Sequence, residues 1–249
     1  MTDTENSSVK ATVRTLDVME AFAKLGEPMT LTEIADRVDV PLSSCHAIIR
    51  TLHARGYIYQ LERRRLFYPT KRLYEVASEI VRHDPILTML LPALQALMHE
   101  TQETVILGKL SGREVIYLEV IEGPQTIRYS AQPGERKPLH SSAAGKALLG
   151  QLSEKEYAKL LGRLELKPMT EATIVDREKL KKEVNAGCER GYFVSNGENV
   201  TDVKAIAIAA KIAGEKFAIA VAGPAPRLQS ADAKIAAAIR ASISSVMEL

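Results

Sequence analysis

Apolar residues over the first fifty positions recur with a helical period. Val13, Leu16, Val18, Met19, Phe22 and Leu25 mark one helix, and Gly26 supplies its stop. Thr30-Leu-Thr-Glu33 has the spacing of a capping box, in which hydroxyl and carboxylate each satisfy the other residue's amide. It opens a short helix with Ile34, Ala35 and Val38 inward, and Asp39-Val40-Pro41 forms the next turn. A third helix starts near Leu42 or Ser43 and runs to about Ala54, with Gly56 as its cap. Cys45, Ile48, Ile49 and Leu52 share its inner face. The period then changes to two. Tyr57-Ile-Tyr59 and Leu66-Phe-Tyr68 read as strands joined by Gln60 to Arg65. Three helices and a hairpin predict a winged helix-turn-helix over residues 9–70.

Residues 71–83 are helical again, with Leu73, Val76, Ile80 and Val81 apolar. Asp84-Pro85 is a cap followed by proline at the first helical position. A leucine-rich helix then runs to about His99, kinked or restarted at Pro92. Residues 71–101 thus read as a helical linker whose leucines form an interface, cover a sheet, or do both on different faces. Beyond it, strands are expected at 104–110, 114–121 and 126–131, with Ile127, Tyr129 and Ala131 on one face of the last. Helices follow near 141–151, 153–162 and 176–190, then strands near 203–212 and 216–222. Residues 102–249 therefore form an α+β domain with an antiparallel sheet. The last two strands carry alanine stripes, Ala205, Ala207 and Ala209 in one and Ala218, Ala220 and Ala222 in the other. Alanine fills a pleated surface poorly. Above such stripes lies either a hollow or a closely packed helix.

Composition adds limits. A length of 249 residues suggests two domains. No apolar run reaches the ~18–20 residues of a membrane span, and Met1 to Ser8 lack the apolar core of a signal peptide. A cytoplasmic protein is expected. Cys45 and Cys188 are far apart and outside any CxxC pair, so neither a disulfide framework nor a metal site is expected. Cys45 reads as a small core residue. The net charge of +2 is local: residues 42–72 hold seven Lys and Arg against the single acid Glu62. Such a concentration suits a phosphate-binding surface, although a solvated charged face shows it too.

The outward face of the third helix is Ser43, Ser44, His46, Ala47, Arg50 and Thr51. Short polar residues near a helix N-terminus, followed by a long arginine, suit entry into a major groove. Arg63, Arg64 and Arg65 tip the hairpin, where they can contact phosphate or a minor groove. A winged helix that binds only protein is the alternative.

On these residues the chain resembles the IclR family of bacterial transcriptional regulators. The likeness runs from about Val9 to Leu228. It is carried by Pro41-Leu-Ser-Ser44, Gly56-Tyr57 and, most specifically, Pro138-Leu-His-Ser-Ser-Ala-Ala-Gly-Lys-Ala-Leu-Leu149. Thr170-Glu-Ala-Thr-Ile174, Gly191-Tyr192, Glu198 and Gly223-Pro-Ala-Pro-Arg-Leu228 also fit. The resemblance implies a DNA reader, a connector and a GAF-like effector-binding domain. It also implies assembly as a dimer or tetramer on operator DNA, and no cofactor. Its effector site falls on Tyr129, Ala143, Ala144, Ser195, Ala205, Ala220 and Ala222. Family members that sense small polar acids carry Asp, Cys and two Ser where Ser195, Ala205, Ala220 and Ala222 stand. Burying polar ligand groups against such a floor costs ~1–3 kcal/mol each. The resemblance therefore points to a bulkier effector such as an aromatic acid, with a small keto acid as the alternative. The acid group would meet the amides entering the 141 helix. Lys137 or His140 would assist, although a histidine at a helix entry is more often structural. Departures include Ala47 where the family usually has Arg, and Tyr68-Pro69-Thr70 in place of Leu-Gly.

Catalysis finds little support. Gly145-Lys146 lacks the first glycine and the Ser or Thr of a phosphate loop. Ser141 and Ser142 have no nucleophile context, and neither paired carboxylates nor metal-spaced histidines occur.

Overall fold

The computed structural model describes residues 9–61, 63 and 65–244. The chain divides between Asp84 and Pro85 into two compact units.

The first unit holds α1 (Lys10–Leu25), α2 (Leu31–Arg37), α3 (Leu42–Ala54), β1 (Ile58–Leu61), β2 (Leu66–Pro69) and α4 (Arg72–Arg82). Gly26 ends α1 in the left-handed conformation, at φ 73°, which costs glycine nothing. The capping box forms as the spacing predicts, with Glu33 N donating to Thr30 Oγ1 and Thr30 N to Glu33 Oε2. Val18, Phe22, Ile34, Cys45, Ile49 and Leu52 meet in one core with Met29 and Ile58. Val13 and Leu16 of α1 point away from it and are exposed. β1 and β2 pair antiparallel, Tyr59 opposite Tyr68, and Met29 bridges to Phe67. No residue of α4 is buried.

The second unit begins with α5 (Pro85–Thr101), which buries Leu90, Leu94 and Leu97 along one stripe and continues through Pro92. Six antiparallel strands follow in the order β5-β4-β3-β8-β7-β6. They are β3 (Thr104–Ser111), β4 (Glu114–Ile121), β5 (Arg136–Pro138), β6 (Phe193–Asn196), β7 (Val203–Ile212) and β8 (Glu215–Pro224). α6 (Ala143–Gly150), α7 (Glu154–Leu161) and α8 (Arg177–Arg190) intervene, and α9 (Asp232–Ile243) closes the chain. Because side chains alternate across a strand, each central strand serves two cores. Phe217, Ile219 and Val221 of β8 pack with α5 and α9, as do Ile206, Ile208 and Ile212 of β7. Ala218, Ala220 and Ala222, with Ala207, face α6 and α8. The result is the α+β architecture with an antiparallel sheet that the pattern implies.

Two expectations need correction, the strand at 126–131 and the shared face of Ile127, Tyr129 and Ala131. Residues 126–131 form no strand. Their carbonyls are caught by side chains instead: Thr104 Oγ1 donates to Tyr129 O and Arg227 Nη2 to Ile127 O. Ile127 accordingly points outward, 74% exposed, while Tyr129 and Ala131 are buried. The strand that does pair with β4 is β5, ten residues later. β6 and α9 were not foreseen from the pattern.

Candidate functional site

In the first unit, α3 presents Ser43, His46, Ala47, Arg50 and Thr51 to solvent, while Ser44 is half-buried. Its N-cap, Pro41, offers no side-chain acceptor. The first amides of α3 therefore lack partners within the helix and favour an anion. Arg14 of α1, which the sequence pattern did not single out, donates to Ser44 Oγ at 3.5 Å. Thr51 Oγ1 donates to the Ala47 carbonyl at 2.8 Å, which engages its only proton. Arg63 and Arg65 are exposed in the hairpin loop, and Arg65 sits at φ 50°. Arg64 lies outside the described residues. Among the described residues, Arg50, Arg63 and Arg65 enter no ion pair, so their charge is available to a ligand.

In the second unit, Tyr129, Ala143, Ala144, Ser195, Ala205, Ala220 and Ala222 line one cavity. They come from the 122–135 loop, the start of α6, β6, β7 and β8. Three strands bring the alanines together, since Ala222 is opposite Ala205 on one side and Thr104 on the other. The rest of the wall escaped the sequence reading. Ile106 and Tyr117 come from β3 and β4, Asn199 and Val200 from the loop into β7, and Val203 from the first position of β7. The cavity is narrow, about 30 Å³, against the ~150 Å³ of an engineered apolar cavity that takes up benzene.

The alanine stripes thus meet both fates proposed for them. Ala207 and Ala218 lie beneath α6 in its packed core. Ala205, Ala220 and Ala222 face the cavity.

Little polarity in this wall is free. Ser195 Oγ donates to Ser141 O at 2.7 Å. Ser142 Oγ donates to Pro138 O and accepts from Gly145 N, capping α6. His140 is buried away from the cavity, its Nε2 donating to Lys167 O at 2.9 Å. Burial, with the nearby Lys146 charge, holds its pKa below the ordinary value and the ring neutral. Lys137 pairs with Glu135 at 2.7 Å behind Tyr129. Burial opposes its charge, but Glu135 and Tyr129 outweigh that and raise its pKa. Burial also pushes the Tyr117 phenol up, and it stays protonated.

Beneath this wall Lys146, 1% exposed, donates to Glu198 Oε1 at 2.6 Å and to Val194 O at 3.0 Å. Burial raises the Glu198 pKa against the pull of Lys146. Among the described residues no group of three or more His, Cys, Asp or Glu is placed to hold a metal ion, and no helix is long and apolar enough to cross a membrane.

Comparison with known proteins agrees with this arrangement over most of the chain. The family described as the IclR helix-turn-helix domain matches residues 11–62, and the bacterial transcriptional regulator IclR C-terminal family matches residues 78–247. The HTH-type transcriptional regulator BhcR of Paracoccus denitrificans is 32% identical, over 98% of this chain and 88% of that protein. The transcriptional repressor IclR of Escherichia coli is 31% identical, over 88% and 82%. Among solved structures, the Thermotoga maritima IclR superposes with a TM-score of 0.78 at 24% identity, covering 96% of this chain and 98% of that one. An IclR homolog from Microbacterium hydrocarbonoxydans, solved in complex with 4-hydroxybenzoate, gives 0.71 at 20%, covering 94% and 99%.

Proposed function

The chain belongs to the IclR family of bacterial transcriptional regulators, and from that premise we propose that it reads operator DNA with α3 and its wing and answers to a small aromatic acid. The cavity carries this reading. Seven residues drawn from separate elements converge on it, and its floor is alanine where a polar ligand needs partners. The acid group sits at the start of α6, where the Ala143 and Ala144 amides precede the first intrahelical bonds. The aromatic body lies over Ala205, Ala220 and Ala222. The Microbacterium relative bound to 4-hydroxybenzoate supports that class as the first to test.

DNA is met by Ser43, Ser44, His46, Arg50 and Thr51, with Ala47 at the same face, and by Arg63 to Arg65 of the wing. Exposed apolar residues on α1 (Val13, Leu16) and α4 (Leu73, Val76, Ile80) leave two helix faces in need of a partner. A homodimer on a two-fold operator supplies it, working in the bacterial cytoplasm. Ligand and DNA are then coupled by ~1–3 kcal/mol.

A keto acid of two or three carbons is the second reading, favoured by the narrowness of the cavity. The engaged Ser195 hydroxyl opposes it. Calorimetric titration with benzoate, 4-hydroxybenzoate, glyoxylate and pyruvate decides between them, and tighter binding of the keto acids refutes the aromatic reading. A gel shift across salt concentrations tests the reader. Affinity that does not fall steeply with salt removes the phosphate-contacting arginines from the account.

A further inference from the structure

The serine side chains of the cavity's wall are engaged by the protein itself. Ser195 gives its proton to the Ser141 carbonyl, and Ser142 gives its own to Pro138. Asn199 differs. Its Oδ1 accepts from Ser141 Oγ at 3.1 Å, which sets the orientation of the carboxamide. Its Nδ2, which carries two protons, donates to no group among the described residues. A half-buried carboxamide with its oxygen held presents a donor to a cavity whose floor of Ala205, Ala220 and Ala222 offers none.

The loop carrying Asn199 is held on the side of its preceding residues. Thr170 Oγ1 donates to Gly197 O at 2.6 Å and Thr173 Oγ1 to Glu198 O at 2.7 Å. The Glu198 side chain is bound by the buried Lys146. A left-handed Gly197 at φ 68° sets the turn, and a Cβ there would meet Thr201 O at 2.8 Å. A donor fixed in this way loses little freedom on binding, which raises the affinity and selectivity that it confers.

We infer that Asn199 selects the head group of the effector, donating from Nδ2 to an oxygen of a carboxylate. This rests on the cavity being the effector site. An acceptor-only head satisfies the amide. A carboxamide head offers one neutral oxygen to the amide and turns its own N–H protons to the rest of the wall, so it binds more weakly than a carboxylate, whose two charged oxygens only accept.

The test uses the full chain and its Asn199→Asp and Asn199→Ala variants, titrated calorimetrically with benzoate, benzamide and glyoxylate. Aspartate keeps the oxygen that Ser141 needs but removes the donors and adds a negative charge. Wild type is expected to prefer benzoate over benzamide by ~10-fold or more. Asn199→Asp should weaken benzoate by ~30-fold or more and narrow or invert the preference for benzoate over benzamide. Asn199→Ala should weaken benzoate by about 10-fold. Unliganded DNA binding and melting temperature should stay at the wild-type values in Asn199→Asp. Wild-type affinity for benzoate in Asn199→Asp overturns the inference, and so does an equal loss for benzoate and benzamide, the mark of a merely structural role. If glyoxylate binds and benzoate does not, the aromatic reading falls, and the Asn199 comparison is made on the glyoxylate carboxylate, with the same loss required. If none of the acids binds, both readings fall together.

Discussion

Replacing Ala222 with leucine adds three carbons to the face of β8 that looks into the cavity, between Ala205 and Thr104 on the flanking strands. The cavity beside it holds about 30 Å³, and added atoms that enter it displace no neighbour. Each buried carbon then contributes ~0.8 kcal/mol, or roughly 2 kcal/mol in all. Where the face is already packed, the same change forces strain of ~1–3 kcal/mol in the opposite direction. The same strand supplies a control. Ala218 lies two pleats away on the same face, in the core beneath α6, beside Gly108, whose own missing Cβ would approach Ala218 O to 3.8 Å. Ala222→Leu is therefore expected to raise the melting temperature and Ala218→Leu to lower it, at ~2–4 °C per kcal/mol for a unit of this size. Thermal and urea melts read the sign, and calorimetry with benzoate reads occupancy, which Ala222→Leu should abolish while operator binding persists. Equal destabilisation by both substitutions, or undiminished benzoate binding by Ala222→Leu, refutes the reasoning.

Other changes test the remaining parts. Lys146→Met leaves the Glu198 carboxylate buried without its partner and should destabilise by ~3–5 kcal/mol; adding Glu198→Leu should recover most of it, and a double variant as weak as the single one removes the ion pair as the cause. His140 is held neutral by burial, its folded pKa below the ordinary 6.5. The unfolded chain then binds the extra proton, and stability should fall as pH drops through 6.5 toward the folded pKa. His140→Gln keeps a donor for Lys167 O and should flatten that slope in urea melts taken between pH 7 and 5. Arg50→Ala should weaken operator binding. A salt slope reduced by about 1 with equal loss on all sequences assigns Arg50 to phosphate, whereas loss confined to the operator assigns it to a base.

Where periodicity is long, the sequence is easily read. The helices at 10–25, 42–54 and 177–190 and the strands at 104–111, 203–212 and 215–224 lie within a few residues of the pattern that predicts them. The exception at 126–131 is instructive. Alternation of Ile127, Tyr129 and Ala131 suggests a strand, but residues 124–127 bend, and Ile127 turns outward while Tyr129 and Ala131 are buried. Here Thr104 and Arg227 take the carbonyls that a ladder takes elsewhere, and nothing local in the sequence marks those distant side chains. α9 was readable, since Ile235, Ile239 and Ile243 recur every fourth position and are buried. Among the cavity's residues, the motif-borne positions were accessible through the family likeness. Asn199 was not, because a polar residue in an aperiodic loop looks the same in sequence whether it faces solvent or a cavity.

The persistence of the cavity itself needs explaining, because packed interiors close over voids whenever neighbours can move. Here they cannot. α6 is seated so closely that a Cβ on Gly145 would meet Leu139 O at 2.3 Å, and Ser142 caps its start. The loop opposite is fixed through Thr170, Thr173 and the Lys146–Glu198 pair. The sheet beneath is continuous through β3, β8 and β7. An unfilled space of about 30 Å³ costs on the order of 0.7 kcal/mol, and a ligand that fills it recovers about threefold in affinity. Filling so small a space decides little between the two acids, so the choice of the larger one rests on the alanine floor and the engaged serine hydroxyls, which leave a small polar acid without partners.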